Sequence, residues 1–308
     1  MTSAAEAAFP SLPAELGEGI ADLVSCGSLE MSADRAAEAR VIAAMLPVGT
    51  RVHVNHLPRL ALEDSLATLV ALREAGLEPV PHLAARRIGS RAEARSFIDR
   101  AVREAGVAKV LLVGGDDPQP RGPYPDGAAV LRHGMLGELA IREVGLPGYP
   151  EGHARIARAA LERALEDKLA LAAKQNLSAY LVTQFSFAPA RIVEYCGALA
   201  RRAPALPVYV GLAGPSSPAA LLRFAQRCGV SASLRALRDQ GMTAVRLVTH
   251  TDPGEQLAAI ARYCAAHAAC NVVGVHLFSF GGVAQTAAWM RGAIALRRSG
   301  AAARAAAK

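Results

Sequence analysis

The chain has 308 residues, of which 52% are hydrophobic, 20% charged and 5% aromatic, and it carries a formal net charge of +7. That length can enclose one large core. Lys and Arg are scattered among acids with no basic run interleaved with aromatics, so the charge gives no nucleic-acid signature, although a basic field still attracts a polyanionic small molecule.

Short apolar runs alternate with longer helical patterns along the chain. A strand is expected over 21–31 (ADLVSCGSLEM), then a helix in SADRAAEARVIAAML with Ser32 as its N-cap. TRVHVNH (50–56) alternates as a second strand and is followed by a helix over 62–76. LEPVPHL (77–83) is a third strand, SRAEARSFIDRAVREAG its helix, and AKVLLVGG (108–115) a fourth strand. REVGLPGY reads as the fifth strand, with a long helix near 155–175. SAYLVTQFSF (178–187) and LPVYVGLAG (206–214) are strands, each followed by a helix. After an extra helical insertion, CNVVGVHLFSF (270–280) is the last strand, closed by VAQTAAWMRGAIALRR.

Eight strand–helix units predict an α/β fold, a (β/α)₈ TIM barrel, as one domain over 1–308. Residues 1–20 and 298–308 are expected to be a peripheral extension and tail. A doubly wound open sheet competes, but no Gly-x-Gly-x-x-Gly follows the first strand. Five cysteines (Cys26, Cys196, Cys228, Cys264, Cys270) form no CxxC pair and no zinc spacing, so reduced thiols and no metal are expected. Residues 1–16 lack the basic start and apolar run of a secretory signal, and no apolar stretch is long enough to span a bilayer. A cytoplasmic location without membrane or nucleic-acid partners is therefore expected; the oligomeric state is left open.

In a barrel, catalytic groups gather at the carboxyl ends of the strands. The polar residues there are Glu30, Asn55, His56, His82, Asp116, Asp117, Tyr149, Glu151, His153, Gln184, Ser216, Ser217, His276 and Ser279. A faint phosphate-binding turn at GLAGPSS (211–217) keeps a barrel aldolase or phosphosugar enzyme among the alternatives.

Several of these stretches together resemble the methylenetetrahydrofolate reductase family over about residues 24–290. SLEM (28–31) resembles the family's first-strand acid motif. PHL (81–83) matches its third-strand His, LLVGGDDP (111–118) its RGD turn, GYPEGHARI its YPEGH turn and VTQFSF (182–187) its TQ strand. The resemblance implies a barrel that interconverts 5,10-methylene- and 5-methyltetrahydrofolate by hydride transfer. It makes Glu30 the general acid, a carboxyl kept near neutral pKa by a partly apolar setting between Leu29 and Met31. Asp116, with Asp117 as an adjacent alternative, and Gln184 would read the pterin edge, with Phe185 or Phe187 lining the pocket. Asn55, His82, Gly115, Tyr149, His153 and Lys168 would touch cofactor.

Departures from the family bear on FAD. Gly114 stands where the family has Arg, and Ala172 and Ala173 stand where it has basic residues for the flavin diphosphate. Lys168, Lys174 and Arg86 are the residues that could compensate. FAD is therefore expected to be weakly bound, rearranged or absent, with NAD(P)H a candidate electron donor and the actual donor left open. The closing strand, HLFSFGG at 276–282, also departs from the family's pattern. Direct, flavin-free reduction by NAD(P)H and a catalytically silent folate-binding barrel are the alternative readings.

Overall fold

The structure is a computed structural model that describes residues 14–58, 60–227, 253–280 and 282–306. Eight parallel strands close into a barrel in sequential order. They are β1 (Ser28–Ser32), β2 (Arg51–Asn55), β3 (Glu78–Ala84), β4 (Lys109–Val113), β5 (Glu143–Gly148), β6 (Ser178–Thr183), β7 (Val208–Ala213) and β8 (Val272–Phe278). β8 pairs back onto β1, with Ser28 opposite His276. The expected TIM barrel is thus the fold.

The helices of the outer layer are α1 (Ala14–Ser25), α2 (Ala39–Ala43), α3 (Leu66–Glu74), α4 (Arg91–Ala105), α5 (Gly127–Arg132), α6 (Met135–Glu138), α7 (Arg158–Lys174), α8 (Pro189–Arg202), α9 (Pro218–Arg227), α10 (Gly254–Ala266) and α11 (Val283–Ala306). Two starts are explicit in the sequence. Ser90 accepts from Glu93 N at 3.0 Å while Glu93 returns its carboxylate to Gly89 N at 2.7 Å, a reciprocal cap on α4. Asp126 accepts from Ala129 N at 2.8 Å and caps α5.

Two expectations are corrected near the N-terminus. Residues 21–25, expected in the first strand, complete helix α1. Leu16, Ile20, Leu23 and Val24 recur at helical spacing, and Ile20 and Val24 are fully buried against the barrel. Residues 14–20, assigned to a peripheral extension, therefore belong partly to the packed outer layer. The helix expected after Ser32 is short: Ser32 ends β1, a 3₁₀ turn spans Ala36–Glu38 and α2 holds only Ala39–Ala43. The C-terminal helix α11 continues through Ala306, beyond the start of the expected tail. The expected helical insertion falls largely outside the described residues.

Strand alternation sorts the interior. Leu29 and Met31 face outward into the shell of helices and are 0% and 1% exposed, which leaves Ser28, Glu30 and Ser32 on the inner face. Arg51, His53 and Asn55 share the inner face of β2 by the same period. The end remote from the strand carboxyl termini is filled by charge pairs: Lys109 Nζ lies 3.1 Å from Glu78 and 3.2 Å from Glu143. Arg51 stacks 4.1 Å above the Tyr209 ring. Gly145 makes room for the interior aromatic, since a Cβ there would meet the Tyr180 ring at 2.7 Å.

Candidate active site

Glu30 lies on the inner wall near the carboxyl end of β1. Asn55, at the end of β2, donates from Nδ2 to Glu30 Oε1 at 3.1 Å. From β8, His276 Nε2 stands 4.0 Å from Glu30 Oε2, too far for a hydrogen bond but close enough to act electrostatically. The other nitrogen of that ring, Nδ1, is 2.9 Å from Ser28 Oγ. His276 is fully buried. The His53 ring packs edge-on beneath, 4.7 Å from His276 and 5.6 Å from His82. β1, β2, β3 and β8 thus converge on one polar group.

The electrostatics correct the expected apolar setting of Glu30. Burial works to raise its pKa, but the His276 ring, the charge of His82 and the Asn55 amide together outweigh it, so the carboxyl is held below its ordinary value. His82 is itself pushed down to about 4, chiefly by burial. It is neutral at pH 7, so its charge acts on Glu30 only in acid, whereas the Asn55 amide holds the carboxylate at any pH. Burial also drives His53 well below its usual range and His56 to about 4. These imidazoles are uncharged near neutrality, and His53 Nδ1, His56 Nδ1 and His82 Nε2 have no hydrogen-bond partner.

The loops above form the rim. Asp117, the adjacent alternative to Asp116, is committed elsewhere: Arg87 Nε holds it at 2.7 Å and Arg121 at 3.0 Å. Asp116 is exposed and close enough to Tyr149 and His153 for both to feel its charge. Burial, helped by Asp116, pushes the Tyr149 phenol up to about 12. The Tyr149 and His153 rings meet edge to face at 5.4 Å. Gln184 N donates to Gly148 O at 2.8 Å, which sets Gln184 beside Tyr149. The Gln184 carbonyl oxygen accepts from Phe185 N at 3.2 Å.

Phe185 and Phe187 are 1% and 4% exposed and pack with Leu221, Phe278 and Phe280. They support the wall rather than face the opening. Phe280 also stacks on Phe224 at 4.2 Å, with 12° between the rings. On the opposite side, Asn55, His56, His82, Leu57, Leu60 and Ala61 among others line a small depression. Asn55 Oδ1, His56 Nδ1 and His82 Nε2 are buried polar atoms there without a hydrogen-bond partner. Gly115, with φ +90, turns the chain after β4, in a conformation that side-chain-bearing residues rarely adopt.

Among the described residues, the basic side chains named for a flavin diphosphate do not gather at the mouth. Arg86 is occupied by backbone carbonyls, donating to Asp117 O and Pro118 O at 2.6 Å and to Pro125 O at 3.1 Å. Ala172 is fully buried in the core. Lys174 ends α7, at the opposite end of the barrel from the strand carboxyl termini. Lys168 lies ten residues into that helix, about 15 Å from its mouth-side end. Burial lowers its pKa and the nearby Asp126 raises it. Among the described residues no contact joins Lys168 to the Glu30 group, and no cluster of three or more His, Cys, Asp or Glu could hold a metal ion.

Sequence reasoning missed His53 and Ser28. Their signal was the alternation itself, which puts residues 51, 53 and 55 on one face and 28 and 30 on another. No helix among the described residues is long and apolar enough to cross a membrane.

No family model matches the chain. Among solved structures, it is similar to an uncharacterized protein from Clostridium thermocellum that binds two copies of 5-methyl-5,6,7,8-tetrahydrofolic acid. Identity is 10% and the TM-score 0.54, covering 89% of this chain and 94% of that one. A putative phosphonomutase from Burkholderia cenocepacia J2315 is 15% identical with a TM-score of 0.50, covering 86% and 93%. At these identities the likeness shows the barrel fold.

Proposed function

We propose that this chain is a tetrahydrofolate-binding barrel enzyme that interconverts 5,10-methylene- and 5-methyltetrahydrofolate by hydride transfer, a divergent relative of the methylenetetrahydrofolate reductases. The observation that carries this reading is the Glu30 carboxylate, held by Asn55 and faced by His276 at the floor of the mouth. The methyltetrahydrofolate bound by the Clostridium thermocellum neighbour supports the ligand class.

The chemistry needs a proton and a hydride. Protonating one nitrogen of the five-membered methylene bridge opens it to an iminium, and hydride addition to the exocyclic carbon then gives the methyl group. Glu30 supplies the proton. Its carboxyl is ionised in the free protein, so it must gain that proton as substrate covers the mouth. A planar ring that excludes water favours the neutral acid. An imidazole held by a hydroxyl on one nitrogen and facing a carboxylate with the other can take a proton on one side and release it on the other, and His276 is so placed. Asp116 and Gln184 at the rim recognise the amino-pyrimidinone edge: a carboxylate accepts from two N–H groups, and an amide offers a donor and an acceptor.

The hydride comes directly from NAD(P)H. What favours this over a resident flavin is that Arg86 is held by backbone carbonyls and that Ala172 is buried. The experiment is titration of purified protein with 5-methyltetrahydrofolate, followed by its oxidation with NAD(P)⁺ and with artificial acceptors. Binding with turnover supports the enzyme; binding without turnover under every acceptor leaves a silent folate-binding barrel; no binding removes the folate reading.

A further inference from the structure

We propose that Cys264 and Cys270 form a reversible dithiol–disulfide site that exchanges with small-molecule disulfides of the glutathione class. Cys264 lies in the last turn of α10 and Cys270 sits two residues before β8. The intervening residues fold back tightly: His267 N donates to Cys264 O at 3.4 Å and Cys270 N to His267 O at 2.9 Å. This turn brings the two Sγ atoms to 3.0 Å. A bond requires them to close by about 1 Å, within the reach of side-chain rotation. Both residues are only partly buried.

The environment separates the roles of the two sulfurs. The Sγ–Sγ hydrogen bond with Cys264 is the main influence that holds the Cys270 thiol below its ordinary value, aided by the Val272 backbone and His267 and opposed by burial. The same contact, with burial, pushes Cys264 up. Cys270 is therefore the nucleophile and Cys264 the resolving thiol. Cys270 thiolate attacks one sulfur of the small disulfide and expels its other half as a thiolate. Cys264 then gives its proton to that thiolate and attacks Cys270 Sγ, and the second small thiol leaves. Two electrons pass from the cysteine pair to the small disulfide, and every sulfur is accounted for.

A metal reading of the same sulfurs is not supported, because among the described residues no cluster of three or more ligands exists. The bond would pin the end of α10 to the start of β8, the strand that carries His276. Asn271, between Cys270 and β8, already anchors this corner by donating to Leu206 O at 3.0 Å.

The test uses the full chain equilibrated in glutathione buffers from fully reducing to fully oxidising, then acid-quenched, alkylated and digested with trypsin. Cys264 and Cys270 fall in one tryptic peptide. The expected result is that this peptide loses two hydrogens and both alkylation sites together, and regains them under reduction. A peptide that keeps both thiols alkylatable in oxidised buffer, or that stops at a glutathione adduct on Cys270, overturns the proposal. Cys264→Ala provides the second readout: the midpoint of the Cys270 alkylation pH profile should rise towards the free-thiol value of about 8.5. An unmoved midpoint would show that the two sulfurs do not interact.

Discussion

His276 faces Glu30 across 4.0 Å, its Nε2 towards the carboxylate Oε2, while Ser28 holds the far side of the imidazole at 2.9 Å. The register explains why these residues meet: Ser28 pairs with His276 across the β1–β8 seam that closes the barrel. Residues separated by almost the whole chain become neighbours only because the sheet closes.

The first prediction concerns Glu30 itself. Glu30→Gln keeps an oxygen to accept from Asn55, so the fold and folate binding should persist. It removes the transferable proton, and turnover should fall by about 10²–10⁴-fold. Stopped-time assays of 5-methyltetrahydrofolate oxidation, with circular dichroism as the folding control, measure this. Near-normal turnover in a folded variant would remove Glu30 from the chemistry.

The two adjacent aspartates should separate cleanly. Asp116→Ala and Gln184→Ala should each weaken 5-methyltetrahydrofolate binding by roughly 1–3 kcal/mol, the cost of an unpaired partner in a buried polar contact. Asp117→Ala instead leaves the Arg87 side chain, only 10% exposed, without its carboxylate, and should lower stability with little change in affinity. Calorimetric titration of the three variants decides the matter; equal affinity loss in all three would merge the roles.

The barrel was legible because each strand is short, apolar and followed by a helical period, a pattern that depends on local sequence. The misplaced segment, residues 21–25, failed for a local reason too: ADLV suits either period, and only Leu16 and Ile20 upstream reveal the helix. The site was legible at Glu30, Asn55, His82 and His276 because strand ends announce themselves. The polar setting of Glu30 was not, since its sequence neighbours Leu29 and Met31 face away from it. Likewise, nothing local says that Arg86 and Arg87 bind the β4 loop rather than a ligand.

Gly145 tests the packing of the interior. An added methyl there would press on Tyr180 at 2.7 Å and on Leu111 at 2.8 Å, both enclosed by the sheet. Gly145→Ala should cost about 1–3 kcal/mol of stability by overpacking. Urea unfolding monitored by fluorescence reads this directly, and an unchanged midpoint would mean that the Tyr180 ring has room to yield.

Stability should fall in mild acid. His82 titrates at about 4 in the folded protein, below its ordinary 6.5, so the unfolded chain takes up the proton first. Its contribution is complete above pH 6.5, declines as pH falls towards 4 and is flat below that. The full loss is on the order of 3 kcal/mol, and His56 adds in the same direction. Urea midpoints at pH 7 and 4.5 should therefore differ, and His82→Gln should narrow the gap. A stability profile flat across this window would contradict neutral, buried imidazoles.

The last prediction concerns flavin. FAD should bind weakly or not at all, and dialysed protein should be colourless. Each charge-assisted hydrogen bond to a diphosphate is worth about 1.5–3 kcal/mol. Two of the customary cations are replaced by Gly114 and the buried Ala172. Their loss corresponds to roughly two to four orders of magnitude in affinity. Compensation from Arg86 would first require it to release its three backbone carbonyls. Gly114 identifies the reverse experiment, because a Cβ added there meets nothing within 4 Å. Gly114→Arg should raise FAD affinity by about tenfold or more while leaving the fold intact. Flavin titration by fluorescence quenching of both proteins gives the answer. Nanomolar, stoichiometric FAD in the unaltered chain would refute the reading and require a diphosphate site built from other residues. No flavin binding, with NAD(P)H-dependent turnover intact, would leave direct hydride transfer as the route.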